Sequence, residues 1–337
     1  MSLTSHNNMA KPATQHRIFE LAILLFIIAI VATLRSAIFP AGDESIANTP
    51  TPIGSWLQNL QQSIPAIAAI IWGIAVSYSG LAIGRMGVRF SIYPAYTLMA
   101  IPILGVTAST VMVSGDYLIS SVVLVLSTLA MKYTIRCIMR SESFGDISLA
   151  MICFGILPLV YAPATLLCIT MLGLVLFVRN TWRDWVVTLF SLVFPIASIC
   201  YWNWCAGGEF FDMVGIIWDS IWINSEFSFF STLTPAAILL LGVLILMLLC
   251  ALSLIISDRF SLKVKSRALM RYTALLLLVA ISTLFLPSST ATSFVLIAIP
   301  TAILLPLIFV RMSVGFTETL YRLMLLAAAA NMVMMSL

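Results

Sequence analysis

Three charged residues near the start of the chain have types and spacing that could bind and activate a phosphate-linked substrate. Arg35 lies at the end of an apolar run, and the acidic pair Asp43 and Glu44 follows eight residues later. A guanidinium group can bind phosphate through two parallel hydrogen bonds, and a carboxylate can accept a proton from an attacking hydroxyl group. We therefore predict a site in which Arg35 holds a phosphate and Asp43 or Glu44 acts as the catalytic base. An ion pair without catalytic function is the alternative for the same residues.

Four more residues are candidates for substrate binding: Asp116, Tyr161, Asp212 and Trp218. Asp116 lies in a tight turn before an apolar run, where capping the next helix is the alternative role. The acids have no fixed metal-ligand spacing, and the six cysteines lie in or beside apolar runs as packing residues do. The sequence therefore predicts no metal site and no cofactor.

The elements that must position these residues are membrane-spanning helices. With 61% hydrophobic and 9% charged residues, the chain is far too apolar for an ordinary water-soluble domain. Apolar runs of about 20 residues without alternation indicate helices, because backbone polar groups in hydrocarbon must be paired within the protein. We predict an all-α, polytopic transmembrane bundle of about eleven spans, with nine to eleven defensible. The predicted spans are Ile18–Phe39, Ile64–Ile83, Ile92–Val113, Tyr117–Ile138, Ile147–Val160, Pro163–Val178, Trp185–Tyr201, Pro235–Ile256, Tyr272–Leu286, Ser293–Val310 and Glu318–Ser336.

The distribution of positive charge predicts the orientation of these spans. Every lysine and arginine except Arg35 lies in or beside alternate gaps between the apolar runs, and the opposite gaps are acidic. Cytoplasmic loops of membrane proteins are enriched in lysine and arginine. We therefore predict a bacterial inner-membrane protein with a cytoplasmic tail over residues 1–17, a single transmembrane domain over 18–337 and a periplasmic C-terminus. Because the net charge of +4 is dispersed over short loops, it does not indicate nucleic-acid binding.

Two outer loops, residues 40–63 and 202–234, are long enough to contribute to a site. Within the second loop, Asp212 and Asp219 are seven residues apart and share a helical face, while Trp218, Ile221 and Trp222 lie together on another. This pattern is typical of a short helix in the membrane interface. A re-entrant half-span or a packed plug is the alternative.

Two motifs carry a family resemblance: the turn Tyr161-Ala-Pro163 and the segment Arg179-Asn-Thr-Trp182-Arg183-Asp-Trp185. Over about residues 140–200 the chain resembles an uncharacterised family of polytopic inner-membrane proteins from Bacteroidetes. The resemblance implies a compartment and a lineage, and no activity. The first outer loop, with Asp43 and Glu44 just after the first span, is also similar in layout to polytopic glycosyltransferases that use lipid-linked sugars.

Two functions are consistent with these observations. The first is a cell-envelope glycan enzyme, glycosyltransferase-like, whose lipid-phosphate-linked sugar donor lies in a groove open to the outer leaflet. The second is a non-enzymatic membrane subunit, flippase or transporter of an envelope assembly, which would have membrane-protein partners. The absence of acidic residues at mid-depth in the predicted spans disfavours an ion-coupled carrier.

Overall fold

The computed structural model describes residues 51–93, 99–109, 116–140, 144–178, 181–222, 235–257 and 263–336. All regular secondary structure in these ranges is helical, which confirms the all-α prediction for this part of the chain. The first predicted span, Ile18–Phe39, and the candidate residues Arg35, Asp43 and Glu44 lie outside the described residues.

We number the described α-helices α1 to α13 in chain order, and two 3₁₀ segments accompany them. The first seven are α1 (Gly54–Ser63), α2 (Pro65–Arg89), α3 (Ala100–Ser109), α4 (Tyr117–Met139), α5 (Phe144–Val160), α6 (Leu167–Val178) and α7 (Trp182–Cys205). They are followed by α8 (Asp212–Trp222), α9 (Pro235–Ser257), α10 (Val264–Ser282), α11 (Ser293–Leu304), α12 (Pro306–Arg311) and α13 (Val314–Ser336). The 3₁₀ segments are Ala162–Leu166, between α5 and α6, and Thr283–Phe285, after α10.

Six helical stretches within the described residues are long and apolar enough to cross a membrane. They are Pro65–Arg89, Tyr117–Met139, Trp182–Cys205, Ile238–Ser257, Val264–Phe285 and Ser293–Arg311. Phe144–Val160 and Ala162–Val175 are shorter apolar helical stretches. The chain is therefore built as a multi-pass membrane protein, because helices of this length and composition bury their backbone polar groups within hydrocarbon.

Several helices extend beyond the limits that hydropathy predicts. Helix α10 begins at Val264 rather than at Tyr272, so Arg267 and Arg271 lie in its first turns instead of in a loop. Lysine and arginine are good helix formers, and their long side chains can reach water from within a helix. Hydropathy alone therefore placed the start of this helix too late.

The degree of burial distinguishes the centre of the bundle from its rim. In the Ser293–Arg311 stretch, 94% of the most apolar 18-residue segment is buried, whereas in Trp182–Cys205 only 17% is. A helix that is apolar on all sides and enclosed by neighbours belongs to the core, and α11 contacts α3, α4 and α10. Helix α7 is a rim helix, with Phe190 and Phe194 exposed along its length.

The aromatic residues of α7 match the thickness of a bilayer. Trp182 and Trp202 are 82% and 78% exposed at opposite ends of this helix. Twenty residues separate them, and at about 1.5 Å per residue that is about 30 Å. This distance equals the usual hydrocarbon thickness, and exposed tryptophans favour the two interfaces.

The two ends of the bundle differ in the polar contacts between their helices. At one end, which we call the basic end, Lys265 Nζ donates a 2.8 Å hydrogen bond to Met139 O. Arg136 and Asp146 form an ion pair there, with 3.4 Å between Nη2 and Oδ1. At the other, which we call the hydroxyl-rich end, Thr51 Oγ1 donates to Val160 O. The hydroxyl groups of Tyr161 and Ser293 hydrogen-bond to each other there, as do those of Ser120 and Thr292. The basic end joins the loops that the charge pattern predicts to be cytoplasmic. The hydroxyl-rich end joins loops that it predicts to be periplasmic.

Helices α5 and α7 approach each other very closely at Gly155. A Cβ atom at this position would meet the backbone carbonyl oxygen of Leu192 and would lie 3.1 Å from Pro195 Cγ. Nearby, the hydroxyl groups of Ser148 and Ser191 are 2.8 Å apart and hydrogen-bond across the same pair of helices. Small residues permit such backbone contact between membrane helices, so Gly155 fixes how α7 packs on the bundle.

Candidate functional site

The carboxyl group of Asp116 is buried at the hydroxyl-rich end of the bundle. Asp116 immediately precedes α4 and is only 4% exposed. It occupies the N-cap position that the sequence suggested, but its side chain makes no capping hydrogen bond. The carboxyl group is therefore not used in the structural role that usually explains an aspartate at the start of a helix.

The capping role is taken over by a glutamine of another helix. Gln61 Oε1 in α1 accepts a hydrogen bond of 2.9 Å from the backbone N–H of Leu118, the second residue of α4. One turn earlier in α1, Gln58 hydrogen-bonds to the Asp116 carboxyl group. Both glutamines lie on the buried face of α1. Helix α1 therefore lies across the end of α4 and covers Asp116.

One oxygen of Asp116 has no hydrogen-bond partner among the described residues. This oxygen is Oδ1, and it is buried. Burial raises the pKa of Asp116 from 3.8 to about 6, and the Gln58 hydrogen bond partly opposes that rise. A carboxyl group with a pKa near the ambient pH can both accept and donate a proton, and an unpaired buried oxygen is ready to bind a hydroxyl or amide group of a ligand.

Hydroxyl groups from two other parts of the chain lie at this end of α4, beside Ser120 of α4 itself. Tyr161 is fully buried, and its phenol oxygen lies 2.6 Å from Ser293 Oγ and accepts a 2.9 Å hydrogen bond from the Thr290 backbone N–H. Ser120 Oγ lies 2.9 Å from Thr292 Oγ1. The network ties α4 and the turn after α5 to the N-terminus of the central helix α11.

Tyr161 and Asp116 are brought close together in the fold although 45 positions separate them in the sequence. Burial raises the pKa of Tyr161, and the negative charge of Asp116 adds to that rise. The phenol therefore stays protonated at neutral pH and can act as a hydrogen-bond donor. Two of the five predicted substrate-binding residues, Asp116 and Tyr161, thus lie near each other in the fold.

The arrangement can bind and deprotonate a hydroxyl group. Asp116 supplies a proton acceptor, while Tyr161, the glutamines and the surrounding hydroxyls supply neutral hydrogen-bonding groups. Sugars present this kind of neutral, hydroxyl-rich surface. In the described ranges, no three His, Cys, Asp or Glu side chains come together as a possible metal site.

Helix α8 confirms that the second outer loop contains a short helix, Asp212–Trp222. Asp212 Oδ2 accepts a 3.0 Å hydrogen bond from the Glu209 backbone N–H and remains exposed. Asp212 therefore serves the local turn before α8 instead of joining Asp116.

The tryptophans of α8 face away from the protein. Trp218 is 63% exposed and pairs with Trp222 at a ring-centroid distance of 6.3 Å. The prediction that Ile221 lies with them was wrong: Ile221 and Ile217 are each only 7% exposed. Neighbouring helix positions point about 100° apart, so Ile221 falls on the side where α8 contacts α7 and the 3₁₀ segment Ala162–Leu166.

Helix α8 therefore lies beside the candidate site. The 3₁₀ segment Ala162–Leu166 that it contacts begins directly after Tyr161. A lipid lying along the exposed tryptophans of α8 would have its headgroup near the hydroxyl-rich end. With only 11 residues, α8 is too short to span a bilayer.

Sequence reasoning missed most of the neutral residues of the site. Gln58 and Gln61 lie in the segment 40–63, which was predicted as an outer loop and contains helix α1. The hydroxyls of Ser120, Thr292 and Ser293 are common in apolar spans and carry no distinctive spacing. The one available signal was the pair of glutamines three residues apart in an amphipathic stretch, which places both on one helical face.

Comparison of the chain with protein-family models, with curated proteins and with solved structures finds no match.

Proposed function

We propose that this is a protein of the bacterial inner membrane that processes a lipid-phosphate-linked sugar for a cell-envelope glycan, with a glycosyltransferase-like site at the outer leaflet. One observation carries the proposal. Asp116 is a buried carboxyl group, covered by glutamines and next to a hydroxyl network, and one of its oxygens has no hydrogen-bond partner in the described part of the chain. Such a group is expensive to bury without a function.

The location of the site supports the proposal. Asp116 lies at the end of the bundle opposite the arginine- and lysine-rich loops, and cytoplasmic loops are the ones enriched in these residues. The proposed site would therefore face the periplasm, where envelope glycans are assembled. The exposed tryptophans of α8 would hold the lipid portion of the donor at headgroup depth.

The length of the connecting chain permits Asp43 and Glu44 to lie near this site. Glu44 is ten positions before Gly54, the first residue of α1, and a segment of that length spans at most about 35 Å. We propose that Arg35 binds the donor phosphate and that Asp43 or Glu44 shares the acid–base chemistry with Asp116. In that division of roles, Asp116 and Tyr161 orient the sugar and move the acceptor proton.

The proposal is tested by the variant Asp116→Asn, which keeps the shape of the side chain and removes its proton-accepting oxygen. We expect loss of the envelope glycan and accumulation of its lipid-linked precursor, with the protein still present in the membrane at the normal level. The matched control is Asp184→Asn: Asp184 is also buried, at 2% exposure, but lies at the basic end and hydrogen-bonds to Thr181. Unchanged glycan and precursor in the Asp116→Asn strain would refute the proposal.

A non-enzymatic membrane subunit is the second candidate, favoured by the exposure of α7. This rim helix contacts its own bundle mainly through α5 and leaves Phe190, Val193 and Phe194 uncovered, a face on which a partner helix could pack. A partner that copurifies at a fixed ratio in mild detergent, together with normal glycan in Asp116→Asn, would support this second function.

A further inference from the structure

Helix α1 differs from the other helices around the candidate site in what holds it in place. It is 10 residues long, and its buried residues are Gly54, Leu57, Gln58 and Gln61. Two of these four are glutamines whose side chains reach Asp116 and the start of α4. Leu57 and, in part, Leu60 also pack against the hydrophobic core, so polar and apolar contacts share the attachment of α1, whereas apolar packing holds the spanning helices.

The ends of α1 show how it could move. Before the helix, Thr51 Oγ1 donates to Val160 O over 2.9 Å and Ile53 N donates to Leu159 O over 3.1 Å, which fastens this side to the end of α5. After it, Ile64 leaves the helical conformation at φ −143° and ψ 64°, and Pro65 begins α2. A residue before proline avoids the helical region, so the helical conformation is interrupted at Ile64, which can act as a hinge between α1 and α2.

The outer face of α1 is suited to the membrane surface. Trp56 is 61% exposed, and Asn59 and Gln62 are exposed beside it. A helix with one tryptophan and several neutral polar groups on its outer face fits headgroup depth. The helix therefore stands between the headgroup layer and Asp116.

We propose that Gln58 and Gln61 are positioning residues of the Asp116 site and that α1 is the movable cover that carries them. With α1 in place, Gln58 orients the carboxyl group of Asp116 and Gln61 caps α4. When α1 swings about Ile64, the hydrogen bonds of Thr51 and Ile53 to the end of α5 break. The carboxyl group of Asp116 and the hydroxyl groups around Ser120 then open to the headgroup layer. A sugar hydroxyl or amide then takes the hydrogen bond that Gln58 gives up, since a carboxamide and a sugar group offer the same neutral donors and acceptors.

The role of α1 in substrate entry rests on the proposed function, but its movement does not. The movement is tested without any sugar, by the reactivity of a buried position toward a membrane-impermeant maleimide. The protein is prepared in lipid nanodiscs with its six cysteines replaced and Ser120→Cys introduced, since Ser120 is fully buried beneath this end of the bundle. We expect slow labelling with α1 intact and labelling about tenfold faster when Gln58→Ala is added, since the loss of one hydrogen bond to a charged group shifts an opening equilibrium by about that factor.

Two controls separate opening from general loosening of the fold. Gln62→Ala lies on the same helix but on its exposed face, and should leave the labelling rate unchanged. Thr188→Cys, fully buried in α7, should stay unlabelled in every background. Equal labelling of Ser120→Cys in the Gln58→Ala and Gln62→Ala backgrounds would overturn the proposal.

A second measurement uses the unaltered protein, so that a folding defect in a variant cannot decide the outcome. Hydrogen–deuterium exchange should be faster over residues 51–63 than over the first turns of α4, because a cover that opens by itself exchanges through local opening. Exchange over α1 as slow as over the start of α4 would contradict a movable cover. Neither measurement depends on glycan synthesis. Movement of α1 can therefore be shown even if the glycan proposal fails, and the glycan proposal can hold even if α1 does not move.

Discussion

Gln61 Oε1 lies 2.9 Å from the backbone nitrogen of Leu118 and accepts its hydrogen bond, so a residue of α1 caps helix α4. This contact leaves the adjacent Asp116 carboxyl group without a capping role. The Asp116 carboxyl group is therefore not engaged in capping its own helix, as the proposed function requires. The first two predictions below concern this contact and the Asp116 carboxyl group beside it.

The first prediction concerns the stability of α4. Replacing Gln61 with alanine removes the acceptor for a buried N–H group, and loss of an N-terminal cap costs about 1 kcal/mol. We expect a lower melting temperature of the purified protein in detergent. Gln62→Ala, on the exposed face of the same helix, should melt with the unaltered protein, and an equal decrease in both variants would contradict the capping role.

The second prediction concerns pH. The pKa of Asp116 rises from 3.8 to about 6 in the folded protein, so between these values the folded state binds the proton and the unfolded state does not. Stability should therefore fall as the pH rises from about 4 to 6 and level off above that range. The difference between the two pKa values is worth about 3 kcal/mol.

The variant Asp116→Asn should lack this part of the pH dependence. Its melting temperature relative to the unaltered protein should increase as the pH rises through 4 to 6, because a neutral amide is not penalised by burial as a carboxylate is. Asp146→Asn, which removes a buried carboxylate paired with Arg136 at the basic end, is the comparison. A constant difference between Asp116→Asn and the unaltered protein from pH 4 to 8 would show that Asp116 is not buried as described.

The third prediction concerns the contact between α5 and α7. Gly155→Ala places a methyl group against the carbonyl oxygen of Leu192, and such overpacking costs about 1–3 kcal/mol. We expect a lower melting temperature and reduced protein in the membrane. Gly145→Ala is the control in the same helix, because no atom lies within 4 Å of a Cβ atom there. If Gly145→Ala were destabilised and Gly155→Ala were not, the close contact of Gly155 with α7 would be contradicted.

The fourth prediction concerns the first outer loop. The double variant Asp43→Asn with Glu44→Gln should abolish envelope-glycan output without lowering the level of the protein, because it removes both proposed bases and preserves their size. Glycan content and protein level are measured in the same cells. Normal glycan would exclude Asp43 and Glu44 from the chemistry and would leave Asp116 to be tested by itself.

The fifth prediction concerns the side of the membrane on which the site lies. Cys205 is an exposed native thiol at the end of α7 opposite the basic end. An impermeant maleimide should label it in intact spheroplasts, and Cys205→Ser should remove that labelling. A reporter enzyme that works only in the cytoplasm should be active when it is fused within the segment Asp258–Arg271. A periplasmic location of that segment would invert the bundle and place Asp116 inside the cell.

The class of the fold could be read from the sequence because hydrocarbon imposes a simple rule. Every backbone polar group must be paired locally, so a long apolar run without alternation is a helix. Within the described residues the apolar runs are indeed helical, and the short helix Asp212–Trp222 was also predicted. Helix limits moved, as at Val264, where basic residues begin a helix before the apolar run starts. Helix α1 lies in the segment 40–63, which the sequence predicted as a loop.

The site depended on the tertiary structure because its residues are neutral and far apart. Asp116 was recognisable by its charge and Tyr161 by its motif, but nothing in their spacing shows that the fold brings them close enough for the Asp116 charge to act on Tyr161. Gln58 and Gln61 acquire a role only because Ile64 turns α1 across the end of α4. Composition and hydropathy determine that the chain enters a membrane as helices, because transfer from water is a property of each segment alone. Which polar groups meet at the end of the bundle is decided by helix packing, since those contacts link segments that are independent in the sequence.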